Sequence, residues 1–168
     1  MYRILQLIES IFRVLRNKIK ILYWKIKYGK RLKIGKGLKF RNNFIININE
    51  NGYLEIGENN FFNNYCSINC HTFISIGNNN SFGENVKIYD HNHVFNTKNS
   101  LKKGNFNTNP ICIKNDNWVG SNTVILSKCN IGNCNVVGAG TIVNEVIEDE
   151  EIVKNSRTLE KRKIKFKK

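Results

Sequence analysis

Two histidines spaced two residues apart are the side chains best suited to proton transfer. They lie in the segment Tyr89–His93, which reads Tyr-Asp-His-Asn-His. A histidine titrates near neutral pH, so it can take a proton from an attacking hydroxyl or amine. In an extended segment His91 and His93 lie on one side. The same alternation predicts that Asp90 faces away from His91, toward solvent or a corner of the fold.

The elements that position these histidines follow a spacing of six. Neither an α-helix nor an ordinary strand has this period, whereas a triangular solenoid does, with one short strand and one corner per hexapeptide. We therefore expect the aliphatic residues to point inward and to stack from coil to coil, and Gly and Asn to occupy corners that need positive φ. The runs are Ile34, Phe40, Ile46; Ile56, Phe62, Ile68, Ile74; Ile76, Phe82, Ile88; and Ile113, Val119, Ile125, Ile131, Val137, Val143.

The period breaks directly after the histidines. Residues 94–109 lack the aliphatic spacing and contain no Asp or Glu. A solenoid accommodates such an insert only as a protruding loop, and functional residues concentrate beside loops. A carboxylate partner for His91 must therefore come from outside this loop.

The net charge of +14 lies at the two ends of the chain. Residues 1–41 hold thirteen Lys/Arg and one acid, residues 155–168 hold seven and one, and the part between is net acidic. A nucleic-acid module would carry its basic stripe on the folded body, so no nucleic-acid partner is predicted.

No segment approaches the roughly 20 apolar residues of a membrane span. The five cysteines contain no CxxC pair, and free thiols in a reducing compartment are expected. Cys66 and Cys129 are expected to be buried.

The basic N-terminus has helical periodicity. Two uses fit its apolar stripe: it caps the open end of the solenoid, or it contacts the membrane surface while Lys and Arg face anionic lipids. We predict a helical segment at 1–30, a β-helix at 31–153 with its loop at 94–109, and a basic tail at 154–168. The stripe is Ile4, Ile8, Ile11, Leu15, Ile19, Leu22 and Ile26.

Two stretches resemble the hexapeptide-repeat acyltransferases, among them the maltose, galactoside and nodulation-factor type of sugar O-acetyltransferases. They are Ile88–His93 and Pro110–Ser121, the latter continuing at Val137–Val143. The similar region covers roughly residues 54–145. One departure is Lys114, where the family usually has glycine. The resemblance implies an all-β fold, a left-handed parallel β-helix preceded here by a short amphipathic α-helix.

The resemblance also implies a reaction. The chain would be a cytoplasmic, homotrimeric acetyl-CoA-dependent O-acetyltransferase that acts on a sugar hydroxyl in surface polysaccharide or glycan biosynthesis. In such a trimer the loop at 94–109 would reach toward a neighbouring chain. Acetyl-CoA would be a co-substrate, with no bound cofactor or metal. Matching positions make His91 the general base, with His93 and Asn64 on the acceptor side. The residues assigned to the CoA side are Trp118, Ser121, Ala139 and Gly140.

Three alternatives remain open at this stage. One is N-acetylation of an amino sugar nucleotide. Another is a β-helix zinc hydratase of the carbonic anhydrase type, with His71, His91 and His93 as ligands. The third is a β-helix without catalytic activity that serves assembly.

Overall fold

The chain folds into one N-terminal helix followed by a parallel β-solenoid. The structure is a computed structural model that describes residues 2–94 and 104–156. Helix α1 spans Tyr2–Tyr28, and one 3₁₀ turn at Gly29–Arg31 leads into the first strand. The strands then wind into about six coils.

Three parallel sheets form the sides of the solenoid. Sheet A contains β1 (Leu32–Ile34), β4 (Tyr53–Ile56), β7 (Phe73–Ile76), β12 (Ile111–Ile113), β15 (Asn130–Ile131) and β18 (Val146–Ile147). Sheet B contains β2 (Lys39–Phe40), β5 (Phe61–Phe62), β8 (Ser81–Phe82), β13 (Trp118–Val119), β16 (Val136–Val137) and β19 (Ile152–Val153). Sheet C contains β3 (Ile45–Ile48), β6 (Ser67–Cys70), β9 (Lys87–Tyr89), β14 (Val124–Ile125) and β17 (Ile142–Val143). This arrangement confirms the predicted parallel β-helix and is consistent with left-handed winding.

The residues spaced by six form the core. All of those named above are buried except Ile34, which is partly buried against the same cluster. They pair with their counterparts one coil away, as Ile68 does with Ile88. The slip from Ile74 to Ile76 occurs because β7 has four residues and turns two of them inward.

The corners use asparagine and glycine for different reasons. Five asparagines have positive φ: Asn43, Asn59, Asn79, Asn85 and Asn122. The glycines that follow the inward aliphatic residues do not, which corrects the expectation that they serve positive φ. They permit close stacking instead, since a Cβ on Gly120 would lie 2.5 Å from the Ala139 backbone N.

Helix α1 caps the first coil. Carbonyls on the outer edge of that coil have no strand below them, and side chains of the helix supply the missing donors. Asn17 Nδ2 donates to Phe40 O at 2.9 Å, Lys20 Nζ to Phe44 O at 2.6 Å, and Tyr28 Oη to Ile46 O at 2.8 Å.

The face that caps is not the predicted one. Asn17, Trp24 and Tyr28 are buried, and the Trp24 ring lies 5.3 Å from Phe40 and 5.5 Å from Phe44. Every member of the predicted apolar stripe is exposed. The interpretation of the stripe as the cap is therefore wrong, although the helix itself does cap. Apolarity did not identify the packing face because the edge of the first coil requires hydrogen-bond donors.

The ends of the insert form a small antiparallel ribbon. Strand β10 (His91–His93) pairs with β11 (Phe106–Thr108). The expected reach of the loop toward another chain concerns residues 95–103 as well, and these lie outside the described residues, as does the tail from 157. Cys66 and Cys129 are buried, as predicted. In the described ranges, no helix is both long enough and apolar enough to cross a membrane.

Candidate active site

A buried carboxylate organises the corner that carries the histidines. Asp90 lies at the bend between β9 and β10 and is fully buried. It accepts hydrogen bonds from the backbone N–H groups of His71 at 2.8 Å and Thr72 at 2.7 Å, and it lies 3.1 Å from His91 Nδ1. The prediction that Asp90 faces away from His91 is wrong, because the chain bends at Asp90 and strand alternation does not continue across the bend. Of the two predicted environments, solvent and a corner of the fold, Asp90 occupies the corner.

The contact with Asp90 sets the tautomer of His91. A carboxylate can only accept here, so His91 Nδ1 must donate, and the lone pair of the neutral ring is on Nε2. The His91 side chain keeps 14% of its surface exposed. A partly exposed imidazole held from behind by a carboxylate is the arrangement of a general base.

A second imidazole stacks on His91. The ring centroids of His71 and His91 are 3.6 Å apart with 24° between the planes. Asn49 Oδ1 accepts from Glu50 N, so Asn49 Nδ2 donates to His71 Nδ1 at 3.3 Å. Burial, followed by the nearby charge of His91, lowers the pKa of His71. The lowered pKa of His71 therefore favours the neutral form of that ring.

The ribbon covers one side of this pair. Phe106 packs edge-on against His71 at 4.4 Å and His91 at 5.1 Å, and His93 lies 4.6 Å from the same ring. His93 is exposed. The rings of His71 and His91 are stacked, so their nitrogens do not converge on a common point. Among the described residues, no group of three or more His, Cys, Asp or Glu side chains could hold a metal ion.

Sequence reasoning missed Asp90 and considered His71 only as a metal ligand. A signal for both was present. His71 precedes His91 by twenty residues, which is also the offset that pairs Ile68 with Ile88 in adjacent coils. Extending that register by three residues places His71 directly beside His91.

The predicted CoA-side residues occupy another part of the prism. Trp118 begins β13 in sheet B and is exposed. Ser121 follows that strand, and its Oγ accepts from Glu84 N at 3.0 Å. Ala139 and Gly140 lie one coil further along the same corner, where Gly140 N donates to Ser121 O at 2.7 Å.

Asn64 lies on that corner too, between sheets B and C. Its Nδ2 donates to Glu84 Oε1 at 3.1 Å and its Oδ1 accepts from Asn42 N at 3.0 Å, so both ends of the amide are used within the fold. His91 instead follows β9 of sheet C, where the chain returns to sheet A. In a triangular prism this corner is opposite sheet B. One chain therefore brings together Asp90, His71, His91 and His93, but not the CoA-side residues.

An open groove lies away from the histidine corner. It lies between helix α1 and the first coils and is lined by Arg13, Arg16, Arg41 and Asn64 among others. None of the three histidines lines it. The chemistry of the buried carboxylate and the stacked rings, rather than cavity size, locates the candidate site.

No protein-family model matches the sequence. Solved structures do match. A hexapeptide-repeat-containing acetyltransferase from Vibrio cholerae, solved with acetyl-CoA, is 23% identical over 74% of this chain and 66% of that one, with a TM-score of 0.65. A galactoside acetyltransferase solved with coenzyme A is 26% identical over 71% and 61%, with a TM-score of 0.58.

A third matching structure is that of an N-acyltransferase. The N-acyltransferase AntD from Bacillus cereus, solved with dTDP and 3-hydroxybutyryl-CoA, is 18% identical over 74% of this chain and 68% of that one, with a TM-score of 0.63. This chain spans about two thirds of the length of the proteins it matches. The fold is therefore that of the hexapeptide-repeat acetyltransferases, as the motifs predicted.

Proposed function

We propose that the protein is an acetyl-CoA-dependent O-acetyltransferase that modifies a sugar hydroxyl with His91 as general base. The observation that carries the proposal is the contact of His91 Nδ1 with buried Asp90, which leaves Nε2 as the basic nitrogen of the neutral ring. It stands on a fold that also supports acetyl-CoA and CoA complexes in the matched proteins.

The reaction needs no covalent enzyme intermediate. His91 Nε2 takes the proton of the acceptor hydroxyl as its oxygen attacks the thioester carbonyl of acetyl-CoA. Asp90 stabilises the imidazolium that forms. When the tetrahedral intermediate collapses, the C–S bond breaks and His91 returns the proton to the CoA sulfur. The products are the acetyl ester and CoA.

We assign His71 a supporting part in this reaction. Its ring stacks on one face of His91, and Phe106 contacts both rings. Its lowered pKa keeps a second positive charge away from the base before the proton transfer. His93 and Asn64 stay on the acceptor side in this proposal, and the sugar class of the acceptor comes from the motifs.

The active site is proposed to lie between subunits of a homotrimer. His91 and the CoA-side residues Trp118, Ser121, Ala139 and Gly140 lie on different parts of one prism. A neighbouring chain that placed its sheet B and the corner between its sheets B and C against the histidine corner would complete the site, and cyclic symmetry would produce three such sites. Light scattering at micromolar concentration tests the proposal, and a monomeric mass would overturn it.

We place the enzyme in the cytoplasm, at the inner face of the membrane, because glycan precursors linked to lipid are modified there and the first helix is basic and amphipathic.

N-acetylation of an amino sugar nucleotide is a second candidate function. It is favoured by the similarity in fold to AntD, whose structure holds dTDP. The same general base would serve, since an attacking amine must also lose a proton.

A coupled assay separates these candidates. Release of CoA from acetyl-CoA is followed with a galactoside, with maltose and with a dTDP-linked amino sugar, and the product is identified by mass and by its lability to mild base. An ester is cleaved by mild base and an amide is not. His91→Ala is the matched control. The proposal fails if none of the acceptors raises CoA release above that of the His91→Ala protein.

A further inference from the structure

We infer that helix α1 lies flat on an anionic membrane surface and holds the β-solenoid upright above it. This inference does not depend on the acetyl transfer. It starts from the apolar stripe, defined as Ile4, Ile8, Ile11, Leu15, Ile19, Leu22 and Ile26, whose members are between 42% and 74% exposed.

The stripe faces away from the solenoid. At 3.6 residues per turn its centre lies roughly 160° around the helix from the face that carries Asn17, Trp24 and Tyr28. That second face is buried on the first coil. The exposed apolar area is continuous along the helix and is widened by Leu5, Phe12 and Tyr23 on one side. An unpaired apolar face of this length marks a contact surface.

The charges beside the stripe select the occupant. Helix α1 carries seven Lys or Arg and one acid, Glu9. By helical geometry Lys18 and Lys25 lie along one edge of the stripe, and Lys27 lies beyond the other. All three are exposed. This pattern of an apolar stripe between cationic flanks fits a bilayer with anionic headgroups.

A second copy of the helix fits the surface less well. Packing two stripes together would bring the cationic flanks of both helices into contact, with one acid per helix to offset them. Like charges facing one another across an interface are destabilising. An anionic lipid surface neutralises the flanks as it covers the apolar residues.

The packing of α1 on the first coil sets the orientation of the enzyme. Since the stripe points away from that coil, the later coils stack away from the membrane. His91 follows β9 in the third coil. With a helix diameter of about 10 Å and strand spacing of about 5 Å per coil, the base would stand roughly 20 Å above the surface.

Vesicle flotation of the full chain tests this inference. The vesicles are phosphatidylcholine alone or phosphatidylcholine mixed with phosphatidylglycerol, at low salt. Wild type should float with the anionic vesicles and bind the neutral ones less. Ile11→Glu should lower the partition coefficient about 10- to 100-fold, because the burial of one isoleucine is lost.

Two further variants separate charge from apolar contact. Gln6→Glu is the matched control: it adds the same charge outside the stripe, and its partition coefficient should fall no more than about fivefold. Replacing Lys18 and Lys25 together by Gln should lower binding about 30-fold on anionic vesicles and have little effect on neutral ones. Thermal melts should be unchanged for all three variants, since the altered side chains are exposed.

Two results would overturn the inference. One is that wild type fails to float with anionic vesicles at low salt. The other is that Ile11→Glu leaves vesicle binding intact but lowers the oligomer mass in light scattering. The stripe would then be an interface between copies of the chain.

Discussion

Replacing Asp90 by Asn removes a charge and turns one acceptor into a donor at the centre of the histidine corner. The carboxylate accepts two backbone N–H bonds, from His71 and Thr72, and one from His91 Nδ1. An Asn side chain has only one oxygen to offer these groups. It must direct that oxygen either at the backbone donors or at His91.

The energies favour the backbone donors. Turning the amide NH₂ toward His71 N and Thr72 N would leave two buried N–H groups unpaired, at about 1–3 kcal/mol each. Turning the amide NH₂ toward His91 requires only that the imidazole change tautomer, so that Nδ1 accepts and Nε2 carries the proton. Nε2 is then no longer a base. We therefore expect Asp90→Asn to lower kcat about 10²- to 10⁴-fold, the usual contribution of a general base.

The assay is CoA release at saturating acceptor, together with the KM for acetyl-CoA and a thermal melt. The KM should be unchanged, because Asp90 is fully buried and its hydrogen bonds go to His71, Thr72 and His91 within the corner. Asp116→Asn is the matched control: it is the same substitution at an exposed corner and should retain activity. A folded Asp90→Asn protein with the kcat of wild type would refute the tautomer argument.

Three further predictions follow from the same geometry. His91→Ala should lower turnover about 10²- to 10⁴-fold while acetyl-CoA still binds, and His93→Ala should do less; the reverse order would move the base to His93. Trp118→Ala should raise the KM for acetyl-CoA while leaving the thermal melt unchanged, and an unaltered KM would remove Trp118 from the CoA side. Because the pKa of His71 is lowered in the folded protein, the unfolded chain binds a proton on this histidine more tightly than the folded chain does. Protonation therefore favours unfolding, and the free energy of unfolding should decrease as the pH falls below about 6.5. Urea melts of wild type and His71→Phe at about pH 7.5 and about pH 5.5 measure it, and equal losses in both proteins would contradict it.

The period of six predicted the solenoid well because each inward position obeys the same packing rule. An aliphatic residue at that position stacks on its counterpart one coil away, and the rule repeats without reference to distant sequence. Ile68 on Ile88 and Val119 on Val137 are such pairs. Glycine after the inward residue was also found by pattern, but its cause was misassigned, since the contact of Gly120 with Ala139 depends on the distance between coils and not on φ.

The site was predicted less completely because its contacts cross between coils. His91 was identified from a short motif that is local in sequence. Its partner Asp90 is its neighbour in the chain, but strand alternation predicted the wrong side, since alternation fails at a bend. His71 lies one coil away, so its stacking on His91 depends on the register between coils. Predicting that contact requires the 20-residue offset between Ile68 and Ile88 to be applied also to the histidines that follow them.

The first helix shows why an amphipathic pattern alone does not define a packing face. The sequence placed the apolar residues on one side, and burial of apolar surface predicts that this side packs on the protein. The first coil, however, presents carbonyls that have no partner strand, and a buried carbonyl without a donor costs about as much as a lost hydrogen bond. Asn17, Lys20 and Tyr28 supply donors while Trp24 covers the aromatic end of the core. The polar side of the helix therefore packs, and the apolar side is left exposed for a second surface.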